Sequence, residues 1–149
     1  MIPAHHAVPA IVRACRTGQI SVRLGARDGT AGTTYYAIVL TNRGTTSCSL
    51  RGYPGVSSVG GSGGPQIGSP ARRVAAAITT VVLRPGATAS AAYGQVDALN
   101  YPRARCHPVT ALGLRVYPPN QTRPRYLAVK HLACSSTAVG DSVIRPVVR

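Results

Sequence analysis

Apolar residues recur along this chain with a period of two, in short runs cut by Gly, Pro and Asn. That pattern predicts half-buried β-strands. Ile20, Val22 and Leu24 share one face, with Ser21 and Arg23 on the other. Residues 34–41 (TYYAIVLT) are nearly all aromatic, aliphatic or β-branched, which predicts a central strand. Short strands follow at 47–50 and 56–59, and residues 60–65 (GGSGGP) read as a flexible hairpin loop. Three Ala within 74–83 permit a helix, but Ile78-Thr79-Thr80-Val81-Val82 is strongly β-forming, so a strand is predicted there. Ala89, Ala91 and Tyr93 form one face of a strand at 87–93, and Leu112, Leu114 and Val116 one face of another. Strands at 126–134 and 142–148 complete the set. Pro146 lacks an N–H, which places the last strand at a sheet edge or a bulge. Residues 25–32 read as a turn region, and 94–105 as the longest irregular segment. Eight or nine short strands, with no amphipathic helix beyond two turns, predict an all-β fold. The expected architecture is an immunoglobulin-like β-sandwich of about 8 antiparallel strands, with a small β-barrel as the alternative.

Length and composition refine this picture. The 149 residues suit one domain: residues 1–14, with two Pro and the His5-His6 pair, read as a tail, and 15–149 as the β-domain. Phe and Trp are absent and Met1 is the single Met, so core volume must come from Val, Ile, Leu, Ala and some of the seven Tyr. Such a core has thin layers, and covalent staples help it. Cys15, Cys48, Cys106 and Cys134 can supply them. None lies in a C-x-x-C pair, and their even count and wide spacing favour two disulfides and an oxidising compartment. Of three connectivities, Cys15–Cys48 with Cys106–Cys134 is preferred, because each closes a moderate loop worth about 3–4 kcal/mol. No run approaches the ~20 apolar residues of a transmembrane helix. Residues 1–15 show no apolar signal core, so the chain reads as the mature part of an exported protein. Arg13, just before Ala14-Cys15, argues against a lipid-anchor site.

Charge is the most lopsided property. There are 17 basic residues, all Arg except Lys130, against Asp28, Asp97 and Asp141, for a net +14. A field of that sign attracts polyanions. A composition rich in Ala, Gly, Pro, Arg and Val also matches high-GC codon bias, so the charge has a compositional reading as well. The densest cluster is Arg103, Arg105, Arg115, Arg123 and Arg125, interleaved with Tyr101, Tyr117 and Tyr126. Guanidinium forks grip phosphate and phenol rings stack, so these eight residues are the candidate polyanion or partner surface.

Catalytic constellations are sparse. Each Asp sits among turn residues, where a carboxylate normally caps backbone. No Gly-x-Ser-x-Gly elbow appears, and paired Cys are not nucleophiles. His107 and His131 flank the two Cys of the second expected disulfide, but a metal there would lack a third ligand nearby. A hollow joining Asp97 with His107 or His131 is the arrangement that would favour an enzyme. No cofactor or metal site is expected, and no nucleic-acid-reading motif is present.

One ordered set of strings has a precedent. Leu40-Thr41-Asn42-Arg43-Gly44 is followed by Cys48-Ser49-Leu50-Arg51-Gly52-Tyr53-Pro54-Gly55-Val56, then Gln66-Ile67-Gly68 and Arg72-Arg73. Val82-Leu83-Arg84-Pro85-Gly86, Cys106-His107-Pro108, Leu114-Arg115-Val116-Tyr117-Pro118-Pro119 and Ala133-Cys134 complete it. This resembles the actinobacterial exported domain of unknown function 4232 family, over about residues 15–148. The resemblance implies an extracytoplasmic location, a β-sandwich and paired Cys, and supports the sequential disulfides. It implies no activity and no catalytic residue. Physically the motifs are structural: Asn42 for a side-chain-stabilised turn or a left-handed residue, Pro85-Gly86 for a type II turn, Tyr53 and Tyr117 for packing the ring on the core with the hydroxyl in solvent or on a backbone group. The expected function is a non-enzymatic, secreted or cell-wall-associated module that contacts an anionic wall polymer or an envelope protein. A nucleic-acid-binding basic protein and a hydrolase with an unrecognised site are the alternatives.

Overall fold

The computed structural model describes residues 11–149; the His5-His6 pair and most of the expected tail lie outside the described residues. The chain folds as an all-β sandwich. The strands are β1 (Ile20–Thr30), β2 (Thr33–Asn42), β3 (Cys48–Arg51), β4 (Gly55–Val59), β5 (Gln66–Ile67) and β6 (Arg72–Arg73). They continue with β7 (Thr80–Leu83), β8 (Thr88–Val96), β9 (Pro108–Tyr117), β10 (Arg125–Cys134) and β11 (Ser142–Ile144). One sheet has the order β1-β2-β8-β11-β6, the second β10-β9-β4-β5, and β3-β7 form a two-stranded third. The sheets stay open, so the barrel alternative does not form.

The predicted alternation holds on β8, where Ala89, Ala91 and Tyr93 are buried, and the predicted central strand β2 is buried without a break from Ile38 to Asn42. β2 pairs with β1 and β8, and buries Ile38 and Leu40 against Ala89, Ala91 and Tyr93 of β8. Leu114 and Val116 of β9 close the core from the second sheet, with Val56 of β4 beside them. In a chain without Phe or Trp, Tyr93 is the largest fully buried side chain. Burial pushes its phenol pKa well above the usual tyrosine range. A smaller apolar cluster gathers Ala98, Cys106, Cys134 and Val139. Both disulfides form as expected: Cys15–Cys48 and Cys106–Cys134, with Cα–Cα separations of 4.8 and 4.6 Å. Arg13 and Ala14 already lie beside β3, the Arg13 carbonyl accepting from Ser49 N at 2.9 Å.

Local turn chemistry also follows the sequence. Asn42 is fully buried; its Oδ1 accepts from Gly44 N (2.8 Å), and its Nδ2 donates to the carbonyls of Thr46 and Leu83 (both 2.9 Å). Gly86 adopts φ +84 after Pro85, and Ala87 N closes the turn on Arg84 O at 2.9 Å. Tyr53 packs its ring on the core and donates its hydroxyl to Val74 O at 2.6 Å.

Several boundaries differ from expectation, each for a tertiary reason. Residues 25–30 are strand, not turn: a bulge between Leu24 and Arg27 absorbs an extra residue and the β1–β2 ladder runs on to Thr30. Asp28 therefore sits on a strand opposite Tyr35. Of 74–83 only Thr80–Leu83 is strand, because β3 supplies just four residues of partner. β8 extends to Val96; Ala98–Asn100 then form a 3-10 turn, and Arg103–Cys106 a single helical turn, α1. Leu112 is 49% exposed rather than buried with Leu114, since β10 shifts register between Ala128 and His131, opposite it. The last strand lies inside its sheet between β8 and β6, not at an edge. Its ladder stops at Ile144, and Val148 bridges Ser90 of β8 beyond Pro146, one residue out of register, as a bulge at the proline requires. Its pairing with β6 is parallel.

Candidate anion-binding surface

Of the three carboxylates, Asp28 is exposed on β1 and the other two are committed to hydrogen bonds. Asp97 accepts from Leu99 N at 3.0 Å and caps the 3-10 turn, as the sequence implies. Asp141 is buried, and its Oδ2 accepts from Gln95 Nε2 (3.0 Å) and Cys134 N (2.9 Å). Arginine side chains bond only neutral groups among the described residues: Arg43 to Ser21 Oγ, Arg51 to Thr80 Oγ1, Arg115 to Gln66 Oε1, Arg149 to Val82 O. Their charge is left uncompensated by carboxylates.

The eight residues singled out from the sequence separate into two places. Tyr101 packs on the small cluster around Cys106 and Cys134, with Arg103 and Arg105 exposed on α1 beside it. Arg115, Tyr117, Arg125 and Tyr126 lie toward the opposite end of β9, up to about 30 Å away along a strand rising ~3.3 Å per residue. There they line a groove of about 320 Å³, together with Pro124 and the glycine loop Gly61-Ser62-Gly63-Gly64. Gly61 (φ +143) and Gly63 (φ +68) permit that loop's curvature.

The four groove residues have different duties. The Arg115 guanidinium lies 5.9 Å from the centroid of the Tyr117 ring and donates through Nη2 to Gln66 Oε1 at 2.6 Å. Its Nε is buried without a hydrogen-bond partner. Arg125 reaches back to β1, donating from Nε to Ile20 O (3.0 Å) and from Nη2 to Thr17 O (3.1 Å). Tyr126 lays its ring over Gly113, where an added Cβ would sit 2.4 Å from the ring edge, and donates its hydroxyl to Leu112 O at 3.1 Å. Arg123 is exposed on the loop between β9 and β10; its carbonyl accepts from Thr17 Oγ1 at 2.7 Å.

A second groove of about 320 Å³ escaped the sequence reading. It is lined by Arg51, Gly52, Tyr53, Arg73, Ile78 and Asn120. The Arg73 guanidinium sits 5.1 Å from the Tyr53 ring centroid, Arg51 Nη1 donates to Thr80 Oγ1 (3.1 Å), and Asn120 Nδ2 to Arg51 O (3.3 Å). The available signal is the Arg72-Arg73 doublet together with Tyr53, whose place in Gly52-Tyr53-Pro54-Gly55 points to a turn and packing rather than to a ligand.

A third hollow, about 340 Å³, joins Asp97 and His131 with Tyr36, Gln95 and Thr33, and so meets the arrangement that would favour an enzyme. His131 Nδ1 lies 3.0 Å from Val129 O, an acceptor only, so Nδ1 carries the proton of the neutral ring. Nε2 then accepts from Ser58 Oγ at 2.8 Å. Both ring nitrogens are thus engaged, and Ser58 is buried behind the ring. His107 is exposed, in the left-handed conformation (φ 49) that ends α1, outside this hollow. No helix among the described residues is long and apolar enough to cross a membrane.

Among curated proteins no relative matches the chain. A family match covers residues 15–147, from the first disulfide Cys to the buried Val147. The span takes in every strand and both disulfides, and the chain therefore belongs to the family described as domain of unknown function DUF4232.

Proposed function

We propose that this domain works outside the cytoplasm, secreted or associated with the cell wall, as a non-enzymatic module that binds an anionic polymer of the cell envelope. The observation that carries this reading is a net charge of +14 whose arginines hydrogen-bond only neutral groups. An uncompensated guanidinium surface attracts a polyanion over a distance set by salt, about 10 Å at 0.1 M. The Arg115–Tyr117 groove supplies a concave place for it, with a buried Nε lacking a partner. The pairing of all four Cys supports an oxidising compartment.

The test is binding to purified cell wall across a salt series. Steep weakening with salt is expected, because counterion release and screening both oppose charge-driven binding. Absent or salt-independent binding refutes the reading. For the compartment, protein from the native cell is unfolded without reductant and its free thiols titrated: none is expected, and four would refute export.

A further inference from the structure

Resting on that reading, we propose that the Arg115–Tyr117 and Arg73–Tyr53 grooves form one track for a linear polyanion, wrapped over the loop at 118–124. The two grooves adjoin through the fold. Tyr117 pairs with Gly55 at the edge of the first groove, and Tyr53 lies two residues before Gly55, about 7 Å of extended chain. Asn120, on the intervening loop, touches Arg51 in the second groove. Arg123 projects from the same loop, exposed. Between the cations of the two grooves, the intervening loop thus carries one exposed arginine, Arg123.

Each groove repeats one device, a guanidinium packed against a phenol ring. In both, a neutral side chain pins a guanidinium: Gln66 holds Arg115, and Thr80 holds Arg51. Pre-set cations lose less freedom on binding than loose ones. The rings of Tyr53 and Tyr117 already carry an arginine on one face, at 5.1 and 5.9 Å. That arrangement favours a polymer of repeated anionic groups over a single-stranded nucleic acid, whose bases need open aromatic faces.

Linear polyphosphate is the probe, as tripolyphosphate and as a chain of some dozens of units, with single-stranded DNA of equal phosphate count alongside. Two joined grooves act as linked sites, so the long chain should bind about 100-fold tighter than the short one. Arg115→Ala in one groove, and Arg73→Ala or Arg51→Ala in the other, should each weaken long-chain binding about tenfold or more. Unchanged thermal melts show that the variants remain folded. Equal affinity per phosphate for both lengths, or sensitivity to one groove alone, overturns the track while leaving polyanion binding intact. No binding of any polyanion at low salt overturns both. DNA binding tenfold tighter than polyphosphate overturns the choice of polymer.

Discussion

Replacing Asp141 by alanine tests whether the buried polar network between the main sheet and the second disulfide holds the fold. Asp141 Oδ2 accepts two hydrogen bonds, from Gln95 Nε2 and from the backbone N–H of Cys134. Gln95 keeps a second acceptor, the Asp141 carbonyl at 3.2 Å, and its own Oε1 accepts from the buried Tyr93 hydroxyl. Cys134 N–H has no such reserve: it faces the carboxylate at the end of β10, and the residue is 0% exposed. An orphaned buried donor costs about 1–3 kcal/mol, and a lost bond to a charged group about 1.5–3 kcal/mol. The expected loss is about 3–4 kcal/mol. Urea unfolding with both disulfides intact reads it: with m near 2 kcal/mol/M, the midpoint should fall by about 1.5–2 M at constant m. Asp141→Asn keeps an acceptor and should lose only about 1 kcal/mol. A loss below about 1 kcal/mol for Asp141→Ala, or equal losses for the two variants, refutes the reasoning.

Further expectations concern packing, pH and the division of labour among arginines. Gly113→Ala places a Cβ 2.3 Å from Leu127 O and against the Tyr126 ring, so a loss of about 3 kcal/mol is expected in denaturant melts. Gly18→Ala, with nothing within 4 Å, is its control. The raised phenol pKa of buried Tyr93 gives a second outcome. Above pH ~10 the unfolded chain releases a proton that the folded one retains, so stability is full below that pH and falls above it. Tyr93→Phe should flatten the alkaline decline by up to about 1.4 kcal/mol per pH unit; an unchanged slope refutes the assignment. Arg125→Ala severs bonds to Ile20 O and Thr17 O and should cost about 1 kcal/mol, after allowance for partial exposure. Arg115→Ala should act chiefly on polyanion binding, and the reverse pattern in paired melting and binding assays would show the roles misassigned.

Much of the fold was legible because its signals are local. The alternation of Ala89, Ala91 and Tyr93, the side-chain turn at Asn42 and the Pro85-Gly86 turn each depend on a few neighbouring residues. The errors cluster where a ladder's length depends on its partner. Residues 25–30 carry turn residues yet remain strand because β2 keeps pairing across a bulge. Residues 74–79 carry strand residues yet find no ladder. Pro146 suggested an edge or a bulge: β6 pairs on the far side of β11, which removes the edge, while Val148 bridges Ser90 beyond the proline with one extra residue against β8, which fits the bulge.

The candidate surface was legible as chemistry and not as geometry. Arg115 and Tyr117 are two residues apart on β9, so their proximity follows from strand period alone. Arg73 and Tyr53 meet only because the turn before β4 comes to lie beside the short strand β6. Arg125 looked like a free cation, yet it is spent on carbonyls near the start of β1, more than a hundred residues earlier. By itself, then, the sequence determined the class of fold and the excess of arginine over acid, and favoured without deciding the sequential Cys pairing, because period, loop length and composition are properties of short stretches or of the whole. Tertiary structure alone decided which arginines are held by backbone and which still face solvent. That choice depends on where unpaired carbonyls and aromatic faces fall when distant strands meet.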